Sequence, residues 1–563
     1  MCEGLHGAVK RGYGDCVSLN KHVGSHVDGV SHRGRVERVR TRVFRNDWSV
    51  LTPPGIGRWT PDLRVSVVIP ARNGQRRLDL ALASLAAQTY PGDLMEVVVV
   101  DDRSSPPLRL PALRPAHCRV LTPPDGGWGA GYARAYGAHA STGDILLWMD
   151  ADMVVCPEFV EAQARWQHVH AEAVTLGRIR FSHTGPDSPA EALALARAGA
   201  LHRALDAGRH HEWVHRLLTE SDGLRDADHL GFHAYLGAAA AVRRSLYEAT
   251  GGVDPGLDLG QDTEFGYRLW QAGAVMLPEP AATGWHVGRA GTARTRLPSE
   301  RFRTEVLAES MPHPHAYRER VPVHRRRTPL VHTVVDVSGA PYDLVRACVD
   351  RLLASAETDL AVTLVADWEG AGQGRHAAGL HLDLRLAQAT YLSEPRVSFA
   401  DSAPRTGFPS PFLLQVPVSW GLGQVAVSRL LASAERARAG LTELFSATSP
   451  TRDAGVRLWR TRALARAIRV RDEGEDLGDV VAELHGRYRI HAGEETLTDL
   501  SLYRSVPPPP RTEPDPVEVA APLPPQGGRD AREDTGRRGG ARSGGWLRSG
   551  WERTRRRLRR GRG

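Results

Sequence analysis

The sequence has little cysteine and no long apolar run, and each scarcity limits what the protein can be. Its five cysteines are odd in number and scattered without paired spacing: Cys2, Cys16, Cys118, Cys156 and Cys348. That pattern argues against a disulfide framework or a zinc site and is typical of the reducing cytoplasm. The sequence contains no run of about 18 apolar residues that would predict a membrane span. Its first residues also lack the charged segment followed by an apolar segment that is typical of a signal peptide. We therefore expect a cytoplasmic location.

The chain of 563 residues is too long for one hydrophobic core and suggests about three or four domain-sized units. Its net charge is +8, but residues 546–563 alone carry eight Arg and one Glu. Because the excess lies in this tail, we expect no nucleic-acid binding by the body of the protein.

Residues 505–563 are rich in Pro and Gly and are predicted to form a disordered linker and tail. The last part mixes two Trp and two Leu with many Arg, which suits peripheral contact with an anionic inner membrane leaflet. A partner protein, a nucleic acid or plain solvation would use the same charges, so membrane contact is a hypothesis.

The most informative stretch begins at Gly143 and continues as an apolar run that ends in Asp150 and Asp152. The run is predicted to be a buried strand. Taken alone, two acids after a strand are usually a solvated turn. At the carboxyl end of a parallel strand, however, they would lie in the crevice where open α/β sheets bind ligands, and would suit a hard divalent cation.

Other elements of a parallel α/β sheet precede this stretch, after residues 1–60, which we expect to be a poorly ordered extension. Residues 65–70 form a β-branched strand closed by proline, and residues 96–101 form a second strand that ends in acids. Leucines at helical spacing lie between them, so the segment predicts a right-handed βαβ unit. Glycines at 126–131 then lead into a helix and could approach a phosphate, although glycine before a helix is more often simple loop geometry.

From Val65 to His286 the chain resembles the family 2 glycosyltransferases of the GT-A fold, a nucleotide-sugar-binding relative of the Rossmann architecture. The resemblance rests on an ordered set of motifs: VSVVIPARN, VVVVDDRS, GYARAYGA, LLWMDADM, GQDTEFGYRL and a final WH. It implies an α/β domain that we delimit at residues 61–315.

The resemblance implies a role for each matching residue. Pro70 and Asn73 would lie against the nucleotide, Asp102 would bind the base or ribose, and Arg134 would face the diphosphate. Asp150 would contact the ribose and metal-bound water, and Asp152 would ligate Mn²⁺ or Mg²⁺.

The last two matches lie near the end of the domain. Asp262 would be the general base that deprotonates the acceptor hydroxyl, and His286 would be a second metal ligand or a structural residue. The family more often has Glu at the position of Gln261. The ordinary alternative for Asp262 is an acid that satisfies a helix N-terminus. Glu264 and Arg268 could orient the loop that carries the base, but we expect them to form only an i,i+4 pair.

The pattern starts again after a basic linker, which suggests a second, degenerate GT-A-like α/β domain at residues 329–504. The distance from Val331 to Asp367 equals that from Val65 to Asp101, 36 positions in each case. If Gly440 matches Gly143, the two metal acids are replaced by Ala447 and Ser449, and the second unit is non-catalytic. Chance similarity of two βαβ units is the alternative.

Together these features predict a metal-dependent, inverting glycosyltransferase that uses a nucleoside-diphosphate sugar. The acceptor is expected to be a glycan or lipid-linked precursor of the cell envelope, which would place the protein in the cytoplasm or peripherally on the inner face of the membrane. A non-catalytic scaffold built from two GT-A units is the alternative from another class. A nucleotidyltransferase is a third possibility within the fold.

Overall fold

The computed structural model describes residues 41–206, 208–257, 259–288, 304–312, 327–372, 379–446, 455–493 and 495–501. All of them belong to one compact unit, Met1–Arg504, and are numbered below by element in chain order. The predicted tail at 505–563, residues 1–40 and most of the basic linker lie outside the described residues. No helix in the described part is both long enough and apolar enough to cross a membrane.

The first half of the chain forms an eight-stranded sheet in the order β3-β2-β1-β4-β7-β6-β8-β5. Its strands are β1 Val65–Ala71, β2 Met95–Asp101, β3 Cys118–Leu121, β4 Ile145–Trp148, β5 Met153–Val155, β6 Ala173–Ser182, β7 Ala240–Arg243 and β8 Val275–Val287. The helices are α1 Gln75–Leu85, α2 Gly129–Ala140, α3 Phe159–Val169, α4 Pro189–Arg197, α5 Glu212–Glu220, α6 Arg244–Ala249 and α7 Gln261–Gln271.

Strand β1 is an interior strand of this sheet, and its residues are almost all apolar and buried. It pairs in parallel with β2 on one side and with β4 on the other. Leu78, Leu82 and Leu85 of α1 pack on one face of this sheet, as their spacing predicts. The carboxyl ends of β1, β2 and β4 therefore open at the same edge.

The N-terminal segment differs from expectation, because residues 41–60 are packed rather than poorly ordered. Val43 and Asn46 are fully buried. Asn46 Nδ2 donates to the carbonyls of Leu224 and Met276, each at 2.8 Å. The sequence does not indicate this packing, because the segment is polar. A buried Asn that is held by backbone carbonyls does not contribute to a periodic pattern of apolar residues.

A second sheet of seven strands follows, in the order β11-β10-β9-β12-β15-β14-β16. The later strands are β9 Val331–Asp336, β10 Leu360–Val365, β11 Val397–Ala400, β12 Phe412–Gln415, β13 Trp420–Leu422, β14 Leu441–Ser446, β15 Val456–Arg460, β16 Arg487–Ala492 and β17 Leu497–Asp499, where β13 and β17 form a separate pair. The helices are α8 Tyr342–Leu353, α9 Trp368–Gly372, α10 Leu380–Tyr391, α11 Ala426–Ala437, α12 Thr461–Val470 and α13 Leu477–His485.

The two sheets share strand order and strand direction over seven positions. Counted in sheet order, the first four strands of each sheet are parallel to one another. The fifth strand is antiparallel to both of its neighbours, and the sixth and seventh strands are parallel to each other. This order corrects the match of Gly440 with Gly143. The strand after Gly440 is β14, which takes the place of β6, whereas the place of β4 is taken by β12.

The corrected register identifies different residues at the metal positions. Asp150 and Asp152 stand two and four residues after the end of β4, and Pro417 and Ser419 stand two and four after the end of β12. Ala447 and Ser449 lie outside the described residues. The residues between β11 and β12, 401–411, contain no helix, so this region has no counterpart of α2.

The two sheets are joined through three arginines on one face of α12. Arg466 is fully buried and donates to the carbonyls of Gly273 and Ala274, just beyond the end of α7, at 3.0–3.1 Å. The guanidinium of Arg462 lies 3.3 Å from the ring centroid of Trp270, and Arg469 pairs with Glu172 at 3.1 Å. Cations at the end of α7 also complement the helix dipole.

Candidate active site

A cleft of about 390 Å³ opens at the carboxyl ends of β1, β2 and β4. Six of the eight residues singled out from the sequence line it: Pro70, Asp102, Arg134, Asp150, Asp152 and Asp262. They come from five separate elements or their following loops, so only the sheet topology brings them together. His286 contacts the group from β8, and Asn73 does not line the cleft.

Asp102 follows β2 directly and is the most deeply buried acid of the cleft, with 5% of its surface exposed. Its Oδ2 accepts a hydrogen bond from the backbone N–H of Gly129, at 3.0 Å, at the start of α2. Its Oδ1 is buried and accepts no hydrogen bond from the described part of the chain. A buried carboxylate oxygen without a donor is costly, so this atom is suited to a ligand's N–H or O–H group.

The preceding residue, Asp101, has a structural role instead. Its two carboxylate oxygens accept from the N–H groups of Ser104 and Leu108, at 2.8 and 2.9 Å. Asn73 acts in the same loop region: it has a φ of +50°, which Asn tolerates better than most residues. Its Oδ1 accepts from the N–H of Ser105 at 2.8 Å. Asn73 thus shapes the wall of the cleft from behind.

Asp150, Asp152 and His286 form a group whose ligand atoms all lie within 4.8 Å of one another. His286 Nδ1 lies 2.8 Å from Asp152 Oδ1, and its Nε2 lies 3.9 Å from Asp150 Oδ2. β5 and β8 fix this spacing, since Met153 pairs with His286 across them. Two carboxylates and an imidazole are a donor set that suits Mn²⁺ or Mg²⁺, so these residues fit the metal implied by the resemblance.

The electrostatics of this group depend on burial and close charges. Burial raises the pKa of Asp150, against the opposing effect of Arg134. Burial also acts to raise the pKa of Asp152, but the hydrogen bond and charge of His286 outweigh it and the pKa is lowered. The pKa of His286 is raised, because its two carboxylate neighbours outweigh its burial.

Arg134 links the candidate metal ligands to the predicted base. Its side chain is 4% exposed, with Nη2 2.7 Å from Asp150 Oδ1 and Nη1 2.8 Å from Asp262 Oδ1. Burial acts to lower the pKa of Arg134, but the two carboxylates raise it overall, so the guanidinium stays charged. The sequence predicted a residue directed at a diphosphate, and the structure adds that Arg134 bridges two of the acids.

Asp262 stands in the first turn of α7, which begins after Gly260 in a left-handed conformation with a φ of +82°. Gly237 lies directly against it: a Cβ there would be 2.3 Å from Asp262 Oδ1 and 2.9 Å from Arg134. Farther along the helix, Glu264 and Arg268 form a two-fold hydrogen-bonded pair at 2.6 and 2.7 Å, as predicted.

Sequence reasoning missed three contributors to this cleft. Arg72 and Arg77 line it, and Arg77 Nη1 lies 3.7 Å from Asp152 Oδ2. Their position directly after β1 and at the start of α1 could have indicated them, because that turn faces the same edge as the acids. Gly237 could not have been found, since its importance depends on a contact with residues far away in the sequence.

Residues 66–251 match the profile of the family described as Glycosyl transferase family 2. This part of the chain is a family 2 glycosyltransferase domain. It has the α/β architecture of the GT-A fold that the motifs implied.

The chain also has curated relatives. The chain is 32% identical over 229 residues to the pre-mycofactocin glycosyltransferase of Mycobacterium tuberculosis, covering 39% of this chain and 42% of that protein. It is 22% identical over 355 residues to chondroitin synthase of Escherichia coli, covering 60% and 50% of the two chains. The chain thus spans half or less of the length of these relatives.

Among solved structures, the chain is similar to S. aureus TarS in complex with UDP-GlcNAc. The sequence identity is 18%, the TM-score is 0.31, and the match covers 40% of this chain and 59% of the other.

Proposed function

We propose that the chain transfers a sugar from a nucleoside-diphosphate sugar to a hydroxyl acceptor, with inversion at the anomeric carbon and with a divalent cation as cofactor. The observation that carries the proposal is the convergence of Asp102, Asp150, Asp152, Arg134 and Asp262 on one cleft. Together these side chains would supply a donor pocket, a cation site and a base.

The nucleotide would enter beside Asp102. Its unpartnered Oδ1 supports binding of a base N–H or ribose hydroxyl, because an acceptor-only group needs a donor there. Arg72 and Arg77 at the rim supply positive charge for the diphosphate. Asp150, Asp152 and His286 would hold the cation, which supplies Lewis-acid stabilisation of the departing diphosphate.

Asp262 would act as general base. The acceptor oxygen attacks the anomeric carbon, the bond from that carbon to the phosphate oxygen breaks, and the hydroxyl proton passes to the Asp262 carboxylate. The nucleoside diphosphate leaves with its bonding electrons, so the step needs no other reactant. Arg134 would hold Asp262 in place through the 2.8 Å contact, and a base so positioned contributes roughly 10²–10⁴-fold.

A second cavity supports the location of the acceptor, which we propose to be a glycan or a lipid-linked glycan precursor. It measures about 460 Å³ and has both apolar walls and polar groups. His211 in its lining contacts Phe181 edge-to-face at 4.9 Å, and Phe181 stacks on His286 at 5.2 Å. Replacement of His211 by Ala should raise the acceptor KM more than it changes the donor KM.

Binding calorimetry with UDP, GDP and dTDP, with and without Mn²⁺, tests the proposal on the wild type and on Asp152→Ala. We expect one nucleotide to bind only with the metal and to lose that binding in the variant. Release of the nucleoside diphosphate on transfer would separate a glycosyltransferase from a nucleotidyltransferase. If no nucleotide binds under any condition, the scaffold alternative replaces the enzyme.

Membrane contact through residues 530–563 remains part of the proposal, since these residues lie outside the described part. Truncation of the tail should reduce pelleting with anionic vesicles at low salt and should leave pelleting with neutral vesicles unchanged.

A further inference from the structure

A small cavity lies where the N-terminal segment, the first sheet and the second sheet meet, away from the catalytic cleft. It measures about 30 Å³. Its polar lining is dominated by cationic and imidazole side chains: Arg45, His229, Arg438, Arg460, Arg462 and His485. The acid Asp228 also lines it.

Three buried nitrogens that line this cavity have no hydrogen-bond partner in the part of the chain that the structure describes. Arg462 is 4% exposed and His485 is 3% exposed. Arg462 Nη1, His485 Nε2 and Arg45 Nε are all buried and make no hydrogen bond within the described residues. Two of these three nitrogens belong to guanidiniums, and a buried charged donor left without a partner costs more than a neutral one, so the space calls for an acceptor.

Other contacts of Arg462 hold its guanidinium in place beside the cavity. Its Nη2 donates to the Arg45 carbonyl at 2.9 Å and to Asn46 Oδ1 at 3.1 Å, and its guanidinium stacks on Trp270. The side chain is therefore held in place, while its Nη1 makes no hydrogen bond within the described residues. Burial, followed by the charges of neighbouring arginines, lowers the pKa of Arg462 well below its ordinary value.

We infer that this cavity is a binding site for a compact oxyanion of the phosphate class. The fixed guanidiniums supply the charge-assisted donors that such an ion prefers. The space exceeds the volume that one water requires but is too small for a nucleotide. The bound ion would connect Arg45 of the N-terminal segment to Arg438 and Arg462 of the second sheet, next to Trp270 near the end of the base-bearing helix α7.

A cation is the competing ligand, because Asp228, His229 and Glu435 have ligand atoms within 4.8 Å of one another. Guanidiniums already neutralise these carboxylates. Arg460 Nη1 lies 3.2 Å from Glu435 and 3.9 Å from Asp228, and Arg438 Nε lies 3.7 Å from Asp228. A divalent cation would face these positive charges at close range, whereas an anion is attracted by them.

The test is calorimetric titration of the full chain with inorganic phosphate, in EDTA and at constant ionic strength. Wild type should bind one phosphate and gain thermal stability as the phosphate concentration rises. Two charge-removing variants, Arg45→Gln and Arg438→Asn, should each weaken binding at least about tenfold. Asn is chosen because Arg438 has a φ of +50°.

Arg436→Gln is the matched control, since Arg436 is an exposed arginine of the neighbouring helix α11 that does not line the cavity. It should bind phosphate as wild type does. Saturating UDP should not compete, which separates this site from the donor cleft. If Arg45→Gln fails to fold, by circular dichroism, Arg438→Asn still decides, because its side chain is partly exposed.

Three outcomes would overturn the inference: no phosphate binding, equal loss in Arg436→Gln, or displacement of phosphate by UDP. Binding of Zn²⁺ that is lost in Glu435→Gln, without phosphate binding, would assign a cation site instead. Glycerol phosphate titrated in parallel identifies the source of the ligand. If glycerol phosphate binds more weakly than inorganic phosphate, the ligand is the free ion. If glycerol phosphate binds more tightly, the ligand is a phosphorylated metabolite with the same chemistry.

Discussion

The first and second sheets share order and direction over seven strands, but the pair of acids that follows β4 has no counterpart after β12. After β4 stand Asp150 and Asp152, and at the same distances after β12 stand Pro417 and Ser419. The helix that carries Arg134 in the first half has no counterpart between β11 and β12. The shared strand order thus provides the same possible position for a ligand site in both halves. The residues that follow each strand determine whether a site forms there.

The contrast extends to the two helices that precede the last strand of each sheet. Asp262 stands in the first turn of α7 and points into the cleft beside Arg134. Asp476 precedes α13, and its side chain accepts a hydrogen bond from the N–H of Asp479 as an ordinary N-cap. The two acids therefore have different surroundings, because Asp262 faces Arg134 in the cleft, whereas Asp476 caps a helix and lies 4.0 Å from Arg487.

The largest expected effect comes from Asp152→Ala, compared with Ser419→Ala at the corresponding place. Loss of the carboxylate should abolish metal-dependent nucleotide binding and lower transfer by about 10³-fold or more, since a metal contributes several kcal/mol to the transition state. Ser419→Ala should leave both unchanged. Nucleotide calorimetry and transfer rates measure the difference, and comparable losses in the two variants would contradict the division of roles.

The next effect is expected from Asp262→Asn, with Asp476→Asn as its counterpart. The first change removes the proposed proton acceptor but keeps the shape, so kcat should fall roughly 10²-fold or more while nucleotide binding persists. The second should keep kcat and change the free energy of unfolding by less than about 1 kcal/mol, because Asn also caps helices. An Asp262→Asn enzyme with wild-type kcat would rule Asp262 out as the base.

The sequence carried enough information to predict the first sheet and most of its acids. Buried parallel strands such as Val65–Ala71 read as continuous apolar runs, and acids directly after them are easily recognised. The second sheet was harder, because short strands such as Phe412–Gln415 have no distinctive start. A glycine-based match therefore selected β14 in place of β12, and only the hydrogen-bonded register corrects it.

What the sequence could not indicate depends on contacts between distant residues. Asn46 is buried against Leu224 and Met276, more than 170 positions away. Arg466 reads as one polar residue among many arginines, yet it is fully buried against backbone carbonyls. Such residues break the apolar period that predicts a core, so their positions become clear only from the fold.

A smaller effect on activity is expected from Gly237→Ala. The added methyl would meet Asp262 Oδ1 at 2.3 Å and push the base away from Arg134. We expect kcat to fall about tenfold, since a displacement of about 1 Å in a catalytic group can cost up to 10²-fold. The KM for the donor should change little. Gly256→Ala is a suitable control, because its nearest neighbour is the partly buried Asp254 side chain at 3.3 Å, and an equal fall in kcat there would point to general loosening.

The smallest effect on activity, although not on stability, is expected from Arg466→Met in the second sheet. Its guanidinium donates to the carbonyls of Gly273 and Ala274 beyond α7, so its loss leaves buried acceptors unpaired and should lower the free energy of unfolding by about 3 kcal/mol. Below the lowered melting temperature, kcat should stay within about threefold of wild type, because the far end of the helix, with Asp262, keeps its own contacts. Denaturant unfolding and initial rates test this, with the exposed Arg471→Met as control. A large fall in kcat without loss of stability would mean that the second sheet positions the base directly, in which case the absence of acids after β12 would not make that sheet catalytically irrelevant.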